Sequence, residues 1–120
     1  MSTIYYRTRN GQADYGFSFE QQGDDSFLIF IIKMPSYGSL DDTLHITHRM
    51  IFGNRYYIDW YPAPRTEDEA RNAAAFWAEY TQEYIRTGRT FDVQMNEFIN
   101  HQKRGVTKGK KTVTYLGDSS

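Results

Sequence analysis

The sequence predicts an α+β fold, in which an antiparallel meander of about five strands precedes one long amphipathic helix, packed on the sheet, and a shorter C-terminal helix. Three observations lead to this prediction. Segments of strand character are grouped in residues 4–61, a long segment of helical periodicity follows them, and the two kinds of segment do not alternate. Strands grouped before helices are typical of α+β folds rather than of parallel, doubly wound sheets.

The first three strands are predicted from the spacing of their apolar residues. Residues 4–9 and 13–21 are expected to be β1 and β2, and in the latter Tyr15 and Phe17 alternate with polar residues. Such alternation indicates an antiparallel strand with one buried face. Residues 26–34 are apolar on both faces, so the third strand is expected to lie centrally in the sheet with a cover on each side.

A hairpin is predicted to complete the sheet. Residues 43–52 and 55–61 have the composition of strands, and the Gly-Asn pair between them is typical of a turn. Pro35 ends the third strand, because proline cannot donate a hydrogen bond to a neighbouring strand, and it begins a loop that reaches the hairpin.

The register of this hairpin decides whether it contains a histidine and aspartate pair. A two-residue turn would place His48 opposite Asp59, where a carboxylate could orient a general base. One extra loop residue, or a bulge, would reverse the faces of the second strand and place Arg49 opposite Asp59. The second register gathers the apolar residues of both strands on one face and pairs the charges. It is therefore the register that we predict, with His48 packed among apolar side chains.

The clearest element of the sequence is a helix over residues 66–88. Thr66 and Glu69 match a capping box, acidic residues favour its first turn, and Gly88 favours its end. Apolar and aromatic residues recur on one side at about 100° per residue, which is typical of a helix lying on a sheet.

A second, weaker helical pattern follows over residues 90–102. Its apolar residues repeat at helical spacing and are Phe91, Met95, Phe98 and Ile99. Residues 1–104 are predicted to form one domain, because no linker or repeat divides them. Residues 105–120 are predicted to be a basic C-terminal tail, either flexible or containing a late strand at 112–116.

Composition excludes several classes of protein. The chain has no cysteine, which excludes disulfides, thiolate catalysis and zinc sites built on sulfur. Its first residues lack the pattern of a secretion signal, and its longest apolar run, residues 27–32, is far shorter than the roughly 20 residues of a membrane-spanning helix. We therefore expect a cytoplasmic protein without a membrane span.

No catalytic residue, metal ligand or cofactor is predicted. The sequence contains no glycine-rich phosphate loop, zinc-protease motif, nucleophile elbow or EF-hand pattern. His45 and His48 are three residues apart, a spacing that directs side chains to opposite faces of a strand and so disfavours a shared metal. An enzyme using His48 with Asp59 would need the two-residue turn and a nearby nucleophile.

The leading hypothesis is a non-enzymatic protein that acts through protein–protein contact. Small inhibitors, immunity proteins and accessory subunits act in this way, including inhibitors that phages or mobile elements direct against a host system. The hypothesis depends on the missing catalytic motifs and on the 10 tyrosines, which bury their rings while their hydroxyls remain hydrated. The candidate contact residues are Tyr5, Arg49, Tyr57, Asp59 and Tyr61. A homodimer packed sheet to sheet is a related hypothesis, because one helix covers only one face of the third strand.

The alternative hypothesis is nucleic-acid binding. Residues 103–120 carry 5 Lys+Arg against 1 Asp+Glu, whereas residues 1–102 carry 9 against 14. A basic segment of this kind attracts phosphates, and exposed aromatic residues on a sheet stack on bases. The candidate residues are Lys103, Arg104, Lys108, Lys110 and Lys111.

Overall fold

A computed structural model describes the backbone of residues 3–108 and the side chains of residues 3–102. It contains one five-stranded sheet, whose paired strands are all antiparallel. The strands are β1 (Ile4–Arg7), β2 (Asp14–Gln21), β3 (Phe27–Lys33), β4 (Arg49–Phe52) and β5 (Arg55–Ile58). The helices are α1 (Leu44–Thr47), α2 (Glu67–Thr87) and α3 (Phe91–Lys108). The α+β prediction is confirmed.

The spatial order of the strands is β1-β2-β3-β5-β4, so β3 is central, as its two apolar faces predicted. The connection after β3 runs past the position of β5 to the far edge of the sheet, where β4 begins. The β4–β5 hairpin then returns to β3, which it meets at the pair Phe30 and Tyr57.

Helix α2 begins and ends where the sequence predicted. The Thr66 hydroxyl accepts a hydrogen bond from the Glu69 backbone N–H at 3.1 Å, while the Glu69 carboxylate accepts from the Arg65 backbone N–H at 2.8 Å. At the other end, Gly88 adopts φ 81°, a left-handed conformation that favours glycine, and its N–H donates to the Tyr84 carbonyl oxygen at 2.7 Å.

The core lies between α2 and one face of the sheet. Trp77 of α2 is fully buried there, with its ring centroid 6.1 Å from those of Tyr15 and Phe17, both edge-on. Phe91, the first residue of α3, packs on the same tryptophan at 6.2 Å. Helices α2 and α3 therefore lie on the same side of the sheet. The second cover predicted for β3 is not supplied by either of them.

The segment predicted as one strand over residues 43–52 is divided into two elements. Leu44–Thr47 forms a helical turn, and His48 follows in a left-handed conformation at φ 54°. The Thr47 carbonyl oxygen accepts a hydrogen bond from the Trp77 indole N–H at 3.1 Å, which fixes the turn to the core. Tertiary contact has thus overridden the alternating pattern of the segment.

The predicted register of the hairpin is wrong. Arg49 pairs with Ile58 and Phe52 pairs with Arg55, which is the register of a two-residue turn. Gly53 adopts φ 65° as the first turn residue, and such a turn matches the right-handed twist of the strands. Apolar side chains consequently occupy both faces of β4.

The described residues contain no helix that is both long enough and apolar enough to cross a membrane. Helix α3 continues to Lys108, past the predicted domain boundary at residue 104. The late strand predicted at 112–116 lies outside the described residues.

Candidate functional site

The face of the sheet opposite α2 carries a group of aromatic and apolar side chains, here called the open face. Its members alternate along their strands with residues that face the helix. They are Tyr5, Leu28, Phe30, Met50, Phe52 and Tyr57, and the Arg55 side chain lies among them.

Phe30 is the centre of the open face and is fully buried, although neither of the described long helices covers this face. The Arg55 guanidinium lies 3.6 Å from the centre of the Phe30 ring, and the rings of Tyr57 and Phe52 lie at 5.9 and 6.3 Å. Neighbouring side chains on the same face thus cover the most apolar position of β3. This arrangement removes part of the need for the second cover that the sequence predicted.

The arginines of this face are paired with acids. Arg55 donates to Glu20 at 2.7 Å, and the hydrogen bond from this guanidinium lowers the pKa of the Glu20 carboxyl. Arg7 donates to Asp14 at 2.9 Å at the other end of the sheet. The open face therefore combines exposed aromatic rings with locally balanced arginines.

The predicted contact residues do not form one cluster. Tyr5 and Tyr57 share the open face, but β2 and β3 separate them, and three strand spacings make about 14 Å. Tyr61 lies beyond β5 with 94% of its surface exposed. Asp59 also follows β5 and is exposed.

Arg49 lies on the helix side of the sheet and is buried. Its guanidinium carbon is 5.0 Å from the centre of the Tyr37 ring and 4.3 Å from that of Tyr56. Its Nε donates to Thr47 Oγ1 at 2.9 Å and its Nη2 to the Asp42 carbonyl oxygen at 2.7 Å. The predicted pairing of Arg49 with Asp59 is therefore wrong, and we do not retain Arg49 as a contact residue.

The predicted alternative, a His48 and Asp59 dyad, is not assembled either. The His48 ring stacks on Phe91 at 4.8 Å, and its Nε2 is 3.3 Å from an oxygen of Asp92. The left-handed backbone at His48 turns the side chain toward α3, away from the strand pleat. The predicted packing of His48 among the apolar side chains of the hairpin is therefore wrong, because its neighbours come from α3.

A second apolar surface lies between the two long helices and is here called the helical groove. It is a cavity of about 960 Å³. Its apolar lining consists of Trp60, Phe76, Tyr80, Met95, Phe98 and Ile99. The helical spacing of the last three predicts a shared face but not its exposure, and only Phe91 of that face reaches the core.

Charged residues line the edges of the helical groove. Glu83 accepts hydrogen bonds from Arg86 at 2.6 Å and Arg89 at 2.5 Å, and these bonds lower the pKa of its carboxyl. Arg89 also pairs with Glu97 of α3. This ion-pair network joins α2 to α3 through Arg89, at the end of the groove where the two helices are connected.

The polar end of the groove is formed by Glu79. Its carboxylate accepts from the Tyr6 hydroxyl at 2.5 Å and from the Arg9 backbone N–H at 2.9 Å. Burial, followed by the hydrogen bond to Glu79, raises the pKa of Tyr6 to about 12.

Within the described part of the chain, no group of three or more His, Asp or Glu side chains could hold a metal ion. Of the predicted nucleic-acid contacts, Lys103, Arg104 and Lys108 belong to α3, and Lys110 and Lys111 lie outside the described residues.

Comparison with known protein families, with curated proteins and with solved structures found no match to this chain.

Proposed function

We propose that this protein is a non-enzymatic binding protein and that its open face contacts a protein partner. The observation that carries the proposal is the set of exposed aromatic and apolar side chains on the open face. Tyr5 is 66% exposed and Phe52 is 55% exposed on this face. Inhibitors, immunity proteins and accessory subunits act by such contact, and a phage or mobile-element inhibitor of a host system belongs to the same proposal.

The chemistry of the open face favours a protein over a nucleic acid. Tyrosine and arginine are enriched among the residues that dominate binding energy at protein interfaces. Arg55 and Arg7 are already neutralised by Glu20 and Asp14, so they offer phosphates little net charge. Arg55 is also held in place over Phe30, which lowers the entropy lost when a partner orders it.

The non-enzymatic part of the proposal is supported by the hairpin. His48 and Asp59 are the only residues that the sequence suggested as a catalytic pair, and their side chains take different directions. His48 is engaged with Phe91 and Asp92 instead. A turnover that depends on both His48 and Asp59 would contradict this part.

Two adjacent residues of β4 allow a matched test. Phe52 and Ile51 are 55% and 51% exposed and point to opposite faces of the sheet. Tagged wild-type protein, Phe52→Asp and Ile51→Asp are used to capture proteins from a lysate of the native host, each with and without nuclease treatment. We expect the wild type and Ile51→Asp to retain the same partner, and Phe52→Asp to lose it.

Capture that does not depend on the open face would overturn the proposal. Equal capture by Phe52→Asp and Ile51→Asp would mean that the open face makes no contact. Capture that disappears on nuclease treatment would instead favour the alternative, nucleic-acid binding by the basic segment.

That alternative has its own structural support, because α3 carries Lys103, Arg104 and Lys108 within a single helix. It requires binding to a labelled oligonucleotide that weakens steeply with salt and is reduced when residues 103–120 are removed. Binding that is unchanged in this truncation would exclude the basic segment.

A further inference from the structure

The side of α3 that faces the helical groove is apolar, and beyond Phe91 it is left exposed by the described residues. Met95, Phe98 and Ile99 form a stripe on one side of the helix, at the spacing that places residues next to each other on a helix surface. All three are exposed. Val93 points to the opposite side of the same helix.

The stripe forms one wall of the helical groove, and α2 forms the other. Phe76 of α2 is exposed there and stacks on Trp60 at 6.3 Å, with Tyr80 beside it at 6.5 Å. A groove with two helical walls and an apolar floor accepts the apolar side of a third helix. Its occupant should therefore be an amphipathic helix.

Helix α3 itself meets the requirements for this occupant. In the sequence, its first half carries the acids Asp92 and Glu97, and its second half carries Lys103, Arg104 and Lys108. Two copies of α3 aligned antiparallel bring opposite charges together. Their helix dipoles then point in opposite directions, which is also favourable. A parallel alignment would place like charges side by side.

We infer that two copies of this chain associate through antiparallel α3 helices, so that each α3 enters the groove of the other copy. Antiparallel helices are compatible with a twofold axis, which gives a closed dimer with the same surface on both sides. The sequence predicted a homodimer packed sheet to sheet. The inferred dimer uses the helices instead and leaves the open face available.

Charge and apolar packing indicate the same register. At about 100° per residue, Asp92 and Lys103 lie on one flank of the stripe. Pairing Asp92 with Lys103 of the second copy places the twofold axis beside Phe98. The two Phe98 residues then meet at the axis, and Met95 meets Ile99 of the second copy.

The first test measures the mass of the full-length protein by sedimentation equilibrium. We expect a dimer for the wild type and at least about hundredfold weaker association for Phe98→Asp, because a charge would be buried at the centre of the interface. Val93→Asp is the matched control, since Val93 and Phe98 are 43% and 48% exposed on opposite sides of α3. It is expected to remain a dimer.

A monomeric wild type would overturn the inference. So would a dimer that persists in Phe98→Asp and dissociates in Phe52→Asp, because that result assigns the contact to the open face. Near-ultraviolet circular dichroism of each variant establishes that the fold is retained.

The second test addresses the antiparallel alignment. Asp92→Lys or Lys103→Asp alone is expected to weaken the dimer about fivefold at low salt, since the twofold axis places two such pairs in each dimer. Combining the two changes reverses both charges and is expected to restore the affinity. A double variant that is weaker than either single one would exclude this alignment. The dimer and the proposed partner contact use different surfaces, so either can fail without the other.

Discussion

His48 and Asp59 face each other across the β4–β5 hairpin, and the contact that joins them is a backbone hydrogen bond, from the Asp59 N–H to the His48 carbonyl oxygen at 2.9 Å. Their side chains are not joined, because the left-handed conformation of His48 directs its ring to Phe91 and Asp92. A favourable register is thus insufficient to build a catalytic dyad.

This geometry predicts how the His48 ring responds to substitution. We expect Asp59→Asn to leave the His48 ring resonances unchanged in an NMR spectrum at fixed pH. Asp92→Asn is expected to move them, since the Asp92 oxygen lies 3.3 Å from His48 Nε2. The reverse pattern would show that the dyad forms in solution.

Trp77 is expected to be the most costly side chain of the core to remove. It is fully buried, packs on three aromatic rings and donates its indole N–H to Thr47. Trp77→Ala should lower the free energy of unfolding by about 3–5 kcal/mol, measured by urea denaturation. Asn72→Ala, at an exposed position of α2 outside the helical groove, is the control and should cost less than about 1 kcal/mol. Similar losses for the two would contradict the assignment of the core.

The left-handed conformation of Gly88 predicts a backbone effect. A Cβ added there would have Leu40 Cδ2 at 3.9 Å, an ordinary contact, so the cost comes from the φ of 81°. Gly88→Ala should destabilise the protein by about 1 kcal/mol in thermal or denaturant unfolding. Gly23→Ala is the matched control, because open space surrounds this glycine. A neutral Gly88→Ala would mean that α2 does not end at this residue.

The buried tyrosines predict a loss of stability at high pH. Burial raises the pKa of Tyr37 to about 12, and burial with the hydrogen bond to Glu79 raises that of Tyr6 to about 12. Since the usual value is 10.0, the unfolded chain releases these protons first. The stabilisation is therefore complete below pH 10 and is lost as the pH rises toward 12.

Tyr37→Phe provides the measurement for this pH dependence. The variant lacks the ionisable hydroxyl, so its melting temperature should fall less than that of the wild type between pH 9 and pH 11. Equal slopes in the two proteins would show that Tyr37 does not contribute to the alkaline transition.

Much of the architecture could be predicted because it depends on local patterns. Helix α2 has a capping threonine at its start and a glycine at its end, and these short-range features operate in any fold. The central position of β3 followed from its two apolar faces. The alternation of Tyr15 and Phe17 correctly indicated which face of β2 meets the helix.

The candidate surfaces were less predictable, because periodicity alone does not identify the neighbour of an apolar face. Met95, Phe98 and Ile99 have the same helical spacing as core residues, yet they line an exposed groove. Arg49 is charged, yet it is buried between two tyrosine rings. Both outcomes depend on which residues from distant parts of the chain lie next to these side chains.

By itself, the sequence determined the fold class, the limits of α2 and the presence of two apolar faces on β3, since these follow from short-range chemistry. Only the tertiary structure decided the direction of the His48 ring, which stacks on Phe91 of the distant helix α3. In the hairpin two local signals conflicted, and the two-residue turn at Gly53 prevailed over the apolar alternation in setting the register. The contacts of His48 with residues far away in the chain therefore keep its ring away from Asp59, and the apparent histidine and aspartate site does not form.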